Sequence, residues 1–272
     1  MITQKKIILA SVLLSGTMVY SHKENFSGNA NLLAQTKLAH ILYHVNFEEN
    51  NSFPSFLKIQ TATPYGLQTV ETPVYEGKKA ARFELRDSDP ENSNGTRAEI
   101  AFPGTDNTIK PERWYAFAVF FPTNNFEPDT SDEVICQWHQ GGKATPSLCF
   151  RTKADRIKLR IVPRANSKKW IDLGAIERNV WQYYVVHVKH SSQEDGLVEI
   201  WRDGKKLVTR SGANMYELNS GIYHTPKFKL GIYKADWNGS TVTKASKRVL
   251  YFDAIKIGDE HAEYADMTGH VE

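Results

Sequence analysis

Leu197-Val198-Glu199-Ile200-Trp201-Arg202-Asp203-Gly204-Lys205-Lys206-Leu207-Val208 reads as two short strands around a tight turn. Asp-Gly between apolar runs favours a two-residue hairpin turn, because both positions tolerate a positive φ. The same grammar extends outward in both directions. Tyr183 to Lys189 precedes the hairpin as a β-rich run. Further upstream, Arg156 to Val162 sets Ile157, Leu159 and Ile161 between charged residues, and Glu133 to His139 also alternates. Tyr115 to Phe121 is aromatic and apolar and stops at Pro122. Downstream, Phe228 to Tyr233 and Val249 to Ile257 close the chain. Short strands at this spacing, with turn residues between them and no long helical period, predict an all-β sandwich or barrel. No internal repeat or low-complexity linker interrupts the pattern. A chain of 272 residues therefore reads as one β domain over residues 41–272.

The first 40 residues read differently. Lys5 and Lys6 precede an apolar run from Ile7 to Tyr20, then Ser21-His22-Lys23-Glu24. That order predicts a signal peptide over residues 1–21 and a polar leader over 22–40, hence a secreted or periplasmic protein. The run is too short, and too broken by Ser15 and Gly16, to span a bilayer, so no membrane partner is expected after its removal.

The formal charge is +3, from 34 Lys and Arg against 31 Asp and Glu. Loss of Lys5 and Lys6 with the signal peptide leaves +1. This balance argues against a nucleic-acid partner and against a very highly sulfated ligand. Two cysteines, Cys136 and Cys149, lie on strands joined by Gly141-Gly142-Lys143-Ala144-Thr145-Pro146. An oxidising compartment would let them pair across a hairpin; two buried free thiols are the other reading.

Three segments place polar groups on one face of a well-patterned strand. In Thr96-Arg97-Ala98-Glu99-Ile100-Ala101-Phe102, Arg97 and Glu99 share a face, since alternate side chains point to opposite sides. In Val134-Ile135-Cys136-Gln137-Trp138-His139, Gln137 and His139 share one. In Lys227-Phe228-Lys229-Leu230-Gly231-Ile232-Tyr233, Lys229, Gly231 and Tyr233 do, and Gly231 leaves room for a ligand or another backbone. Each segment alone also fits an ordinary solvated strand face or a satisfied structural histidine.

In this order, the three segments resemble the jelly-roll polysaccharide lyases. That group includes alginate lyases with R-x-E-x-R, Q-[IV]-H and Y-F-K-A-G-x-Y signatures, and the related glucuronan lyases and heparin lyase I-like proteins. The resemblance spans roughly Leu42 to Ile257. Arg97 and Glu99 match the first signature, Gln137 and His139 the second, and Phe228, Lys229, Gly231 and Tyr233 the third. Ala101 stands where alginate lyases carry a second arginine. Trp138, Lys227 and Leu230 also depart from the alginate pattern, toward the glucuronan and heparin lyase-like branch.

The resemblance implies a two-sheet antiparallel β-jelly roll whose concave face binds an acidic polysaccharide, acting as a monomer. It implies β-elimination on a uronate, most simply of a glucuronan or mannuronan type, with a heparin or heparan-type glycosaminoglycan as the alternative. The C5 proton lies beside a carboxylate, so that charge must be neutralised before the proton can leave. Arg97, Gln137 and His139 suit that task, and Tyr233 suits proton transfer. Where the C5 proton and O4 lie on the same side, Tyr233 can serve as base and acid; where they lie opposite, His139 becomes the base. Glu99, Lys229, Arg86 and Arg151 are the further substrate-binding candidates.

This chemistry requires no cofactor. Glu48 and Asp253, on the first and last strands, are candidate ligands of a structural calcium, or two exposed acids. A glycoside hydrolase would need paired carboxylates, and the Glu-x-Asp-x-x-Glu pattern is absent. A non-catalytic carbohydrate-binding module would not need the Gln137, His139 and Tyr233 set.

Overall fold

The computed structural model describes residues 39–49, 53–104, 111–141, 145–216, 226–239 and 243–269. The signal-peptide reading over 1–21, and all but the end of the 22–40 leader, lie outside these residues. Among them, two antiparallel sheets face each other.

The seven-stranded sheet runs β10 (Ser167–Ala175), β9 (Arg156–Arg164), β8 (Leu148–Lys153), β7 (Glu133–His139), β14 (Lys227–Tyr233), β5 (Arg97–Ala101) and β2 (Lys58–Thr61). The eight-stranded sheet runs β13 (Lys205–Ser211), β12 (Leu197–Arg202), β11 (Trp181–Lys189), β6 (Glu112–Phe120), β15 (Lys247–Gly258), β4 (Ala80–Arg86) and β3 (Leu67–Val70), with β1 (Ile41–Val45) also on β15. The Asp203-Gly204 hairpin is present: Arg202 pairs with Lys205, and the two turn residues have φ of 49° and 81°. A short α-helix, α1 (Tyr264–Thr268), follows β15.

Alternation explains the core. Phe228, Leu230 and Ile232 of β14, Ala98 and Ile100 of β5, and Ile157, Leu159 and Ile161 of β9 turn inward to meet Phe117, Tyr184, Leu250 and Phe252 from the other sheet. The opposite parity of the seven-stranded sheet is left to form an outward face.

The two cysteines do not bridge. Cys149 pairs in register with Gln137, whereas Cys136 pairs with Phe150. The one-residue offset sends the thiols to opposite faces of the sheet. Cys136 lies in the core; both are buried free thiols, and burial pushes both upward in pKa.

Glu48 and Asp253 act as loop clamps. Glu48 Oε1 accepts the backbone N–H groups of Lys78 (2.7 Å) and Lys79 (2.8 Å). Asp253 Oδ2 accepts those of Tyr75 (3.0 Å) and Glu76 (3.1 Å), and its Oδ1 accepts that of Ala254 (2.8 Å). Burial raises Asp253 to about 6. Among the described residues, no group of three or more His, Cys, Asp or Glu side chains is placed to hold a metal ion. Asp253 fastens the segment 75–76 to the middle of β15, and Glu48, just after β1, fastens 78–79.

Candidate active site

The three polar segments become neighbours because β14 inserts between β7 and β5. On one side Tyr233 pairs with Arg97, Gly231 with Glu99 and Lys229 with Ala101. On the other, Lys229 pairs with Gln137 and Lys227 with His139. Paired residues share a face, so Arg97, Glu99, Gln137, His139, Lys229 and Tyr233 all stand on the outward face of one sheet.

Gly231 makes this pairing possible. Its φ is +133°, and an added Cβ would lie 2.2 Å from the Ala98 carbonyl oxygen and 2.7 Å from Glu99 Cα. The room that Gly231 leaves is taken by the β5 backbone, not by a ligand. Gly231→Ala is expected to lower stability by roughly 1–3 kcal/mol from backbone strain alone, with more if β5 is displaced. Urea denaturation checks this.

Glu99 is the hub of the face. It is 1 % exposed and accepts from Arg97 Nη1 at 2.9 Å and from Lys229 Nζ at 3.0 Å. It also accepts a short hydrogen bond from Gln137 Nε2. One buried carboxylate therefore orients three donors carried by three different strands. Burial lowers the Lys229 pKa while Glu99 opposes that shift. The cluster holds two cations against one anion, so it is suited to receive a second carboxylate. Glu99, expected to bind substrate, is buried and already engaged by all three of these donors.

Tyr233 and His139 stand at opposite ends of the cluster. Tyr233 pairs with Val134, five residues along β7 from His139, or roughly 15 Å of strand. The Arg97 guanidinium lies 4.4 Å from the Tyr233 ring centre. Asn238 Nδ2 donates to the Tyr233 hydroxyl at 3.3 Å, and its Oδ1 accepts the Thr96 N–H at 2.7 Å. Gly95 closes the pocket around the ring: a Cβ there would lie 2.5 Å from Tyr233 Cε2. Neither Asn238 nor Gly95 was identifiable beforehand. Asn238-Gly239 reads as turn chemistry, and Gly95 lies in a loop.

At the other end, His139 Nδ1 accepts the Gly141 N–H at 2.9 Å. Burial, then Lys229, lower the imidazole to about 4. At neutral pH the ring is uncharged. With Nδ1 accepting, its proton resides on Nε2.

The remaining expected binding residues divide. Arg151 shares the outward face, by parity with Cys149, and is held in a two-point pair with Asp132 at 2.6 and 2.8 Å. Arg86 is not brought to this face. It lies on β4 of the other sheet, its Nε donating to Glu84 at 2.6 Å. Its parity with Arg82 and Glu84, opposite to core Phe83 and Leu85, points it out of the far side of the sandwich.

The outward face is cationic although the chain is nearly neutral. Lys58, Lys158 and Arg160 join Arg97, Arg151, Lys227 and Lys229 by register. The acids that share the face or its rim, Glu99, Asp132 and Asp172, are each ion-paired to arginine. Whole-chain charge could not reveal this segregation.

Comparison with known proteins agrees with this geometry. The fold is similar to an endo-β-1,4-glucuronan lyase from the fungus Trichoderma reesei, with TM-score 0.66 and 16% identity, covering 84% of this chain and 98% of that one. It is similar to an alginate lyase from Pseudomonas aeruginosa, with TM-score 0.51 and 16% identity, covering 75% and 98%. It also resembles the binding domain of a botulinum neurotoxin, with TM-score 0.54 and 10% identity, covering 84% and 50%. The fold is thus shared with a domain described by binding, and the fold by itself does not assign chemistry. No curated protein matches the chain in sequence. A family model described as polysaccharide lyase matches residues 32–256, and by that match the chain belongs to the polysaccharide lyase family, built as a two-sheet β-jelly roll.

Proposed function

We propose that this lyase cleaves a 4-linked polyuronate of gluco or manno configuration, with Tyr233 as both base and acid. In such a sugar the C5 proton and O4 lie on the same side of the ring. Arg97 and Gln137, oriented by Glu99, neutralise the uronate carboxylate. The Tyr233 oxygen takes the C5 proton as negative charge builds on the carboxylate. The C5–H electrons form the C4–C5 double bond, and the C4–O4 bond breaks. O4 then receives the proton from Tyr233, which returns to its starting state. A cation over the ring and a donor at the hydroxyl are groups that a charged phenol oxygen can use.

The observation that carries this choice is the His139 hydrogen bond. With Nδ1 occupied by Gly141, neutral His139 presents an N–H toward the face rather than a lone pair. A donor suits the substrate carboxylate and does not suit proton abstraction. The similar glucuronan lyase fold supports the same sugar class.

Assay of double-bond absorbance on polyglucuronate, polymannuronate, polyguluronate and heparin tests the reading. Activity on the first or second is expected; activity confined to the last two would require His139 as base and overturn it.

His139 is also expected to titrate near 4, not near its ordinary 6.5. Its lowered pKa means the protonated form is disfavoured in the folded state, so no His139 ionisation should shape the rate between pH 5 and 8. An NMR titration reads this directly, and a midpoint near 6.5 would restore the imidazole as a candidate base. His139→Ala should cost about 10²–10³-fold in kcat, the range for one lost charge-stabilising donor.

The N-terminal leader supports export. Mass spectrometry of the exported protein should find a chain beginning near His22.

A further inference from the structure

We infer that Arg160 and Trp170, two and three strands away from Gln137, form a distal uronate subsite that holds the polymer but takes no part in bond cleavage. This rests on the polyuronate reading above and adds residues that the three motifs do not contain.

The basis is an unbroken register. Gln137 pairs with Cys149, Cys149 with Arg160, and Arg160 with Trp170. Four adjacent strands therefore align one side chain each, on one face, in a line leading away from the Glu99 cluster. The line continues through Lys229 to Ala101 on the other side. Neighbouring strands lie about 4.8 Å apart, close to the length of one pyranose unit, so a linear glycan crossing the strands meets about one strand per sugar.

The side chains along the line suit such a ligand. Cys149 is small and fully buried, with Arg151 and Arg160 acting on it, so no bulky apolar group interrupts the line. Arg160 is 8 % exposed, yet no carboxylate forms an ion pair with it among the described residues. Its contacts are weak: Nη2 meets the Pro146 carbonyl oxygen at 3.5 Å, and Nε has no partner. Asp132, already held in its two-point pair with Arg151, acts on Arg160 from beyond ion-pair distance; a buried guanidinium lacking a direct partner is costly, and a uronate carboxylate in contact with it would relieve that cost. Trp170, at the end of the line, is 48 % exposed. Ile171, next along the strand, and Leu173 turn to the core, and Trp170 pairs with outward Arg160, so the indole stands on the outward face, not in the core. An exposed ring beside a cation that makes no ion pair among the described residues provides a stacking surface for the sugar next to the one whose carboxylate Arg160 holds.

Trp170→Ala removes an exposed side chain and should fold normally. Three strand spacings, roughly 14 Å, separate Gln137 from Trp170. A trisaccharide straddling the scissile position at Tyr233 does not reach the ring; a hexasaccharide does. W170A should raise KM about tenfold on hexasaccharide and polymer, the order expected for one lost stacked ring, with kcat retained. Its kcat/KM loss on trisaccharide should be much smaller. R160Q should show the same dependence on length. Unchanged KM on the hexasaccharide, or equal losses on both lengths, would overturn the subsite. If the wild-type protein forms no double bond on any polyuronate, the lyase reading fails by itself. Migration through a gel containing polyglucuronate then judges the subsite separately. Weaker retardation of W170A than of wild type supports it, and equal retardation overturns it.

Discussion

Tyr233→Phe is expected to fold like the wild type and to lose turnover by 10²–10⁴-fold, or more. The lower range is typical of a single lost acid or base; in the proposed mechanism one oxygen performs both transfers, so both steps lose their proton carrier. The fold should tolerate the change because Tyr233 points away from the core and its ring is retained. The ring still lies against Arg97, and the Glu99 cluster is untouched, so KM should change little. Only the contact to Asn238 is lost. Double-bond formation on the best polyuronate, with thermal unfolding as the folding control, makes the measurement. A folded variant with near wild-type turnover would place the proton elsewhere and remove the mechanism.

Glu99→Ala should have the largest effect on the protein as a whole. It leaves Arg97 and Lys229 largely buried without their shared anion and Gln137 without its acceptor. Breaking a buried pair by removing one partner costs about 3–5 kcal/mol. For a domain of this size that is on the order of 10 °C in Tm, at 2–4 °C per kcal/mol. Activity should fall as well, because the donors that neutralise the substrate carboxylate lose their common reference point. The double variant Glu99→Leu with Lys229→Met separates the two effects. Replacing ions by apolar groups of similar volume can restore stability, but it cannot restore the orientation of Arg97 and Gln137. Recovered Tm with activity still lost is the expected result. Full activity in Glu99→Ala would show that the cluster does not organise the site.

Much of this site was legible beforehand, and the parts that were not share a cause. Alternation is local: Phe228, Leu230 and Ile232 reveal which side of their strand is core, and therefore that Lys229 and Tyr233 face the other way. The same logic gave the faces of Arg97, Glu99, Gln137 and His139. Arg86 looked equivalent to Arg151 as a cation on a β-strand, yet the two lie on different sheets. Nothing in the seven residues of β4 records which sheet will receive them. Asn238 and Gly95 escaped because their work is done on Tyr233 across loops.

The sequence by itself determined that this is an all-β chain, with an Asp203-Gly204 hairpin, inward and outward parities, and an ordered set of motifs that identified a polysaccharide lyase. The strands, the hairpin and the parities are properties of period two and of local turn chemistry, which each segment carries alone; the lyase reading came from the resemblance of the three motifs taken in order. Only the tertiary structure decided that β14 lies between β7 and β5, that Glu99 orients three donors, and that Gly231 makes room for backbone. It also decided that Cys136 and Cys149 point apart, and that His139 is already engaged by Gly141. Apart from the His139–Gly141 bond, which spans two residues and waits only on the turn after β7, these depend on long-range register, where a slip of one residue turns a side chain to the opposite face. Register is set by the joint packing of both sheets, so no single segment encodes it.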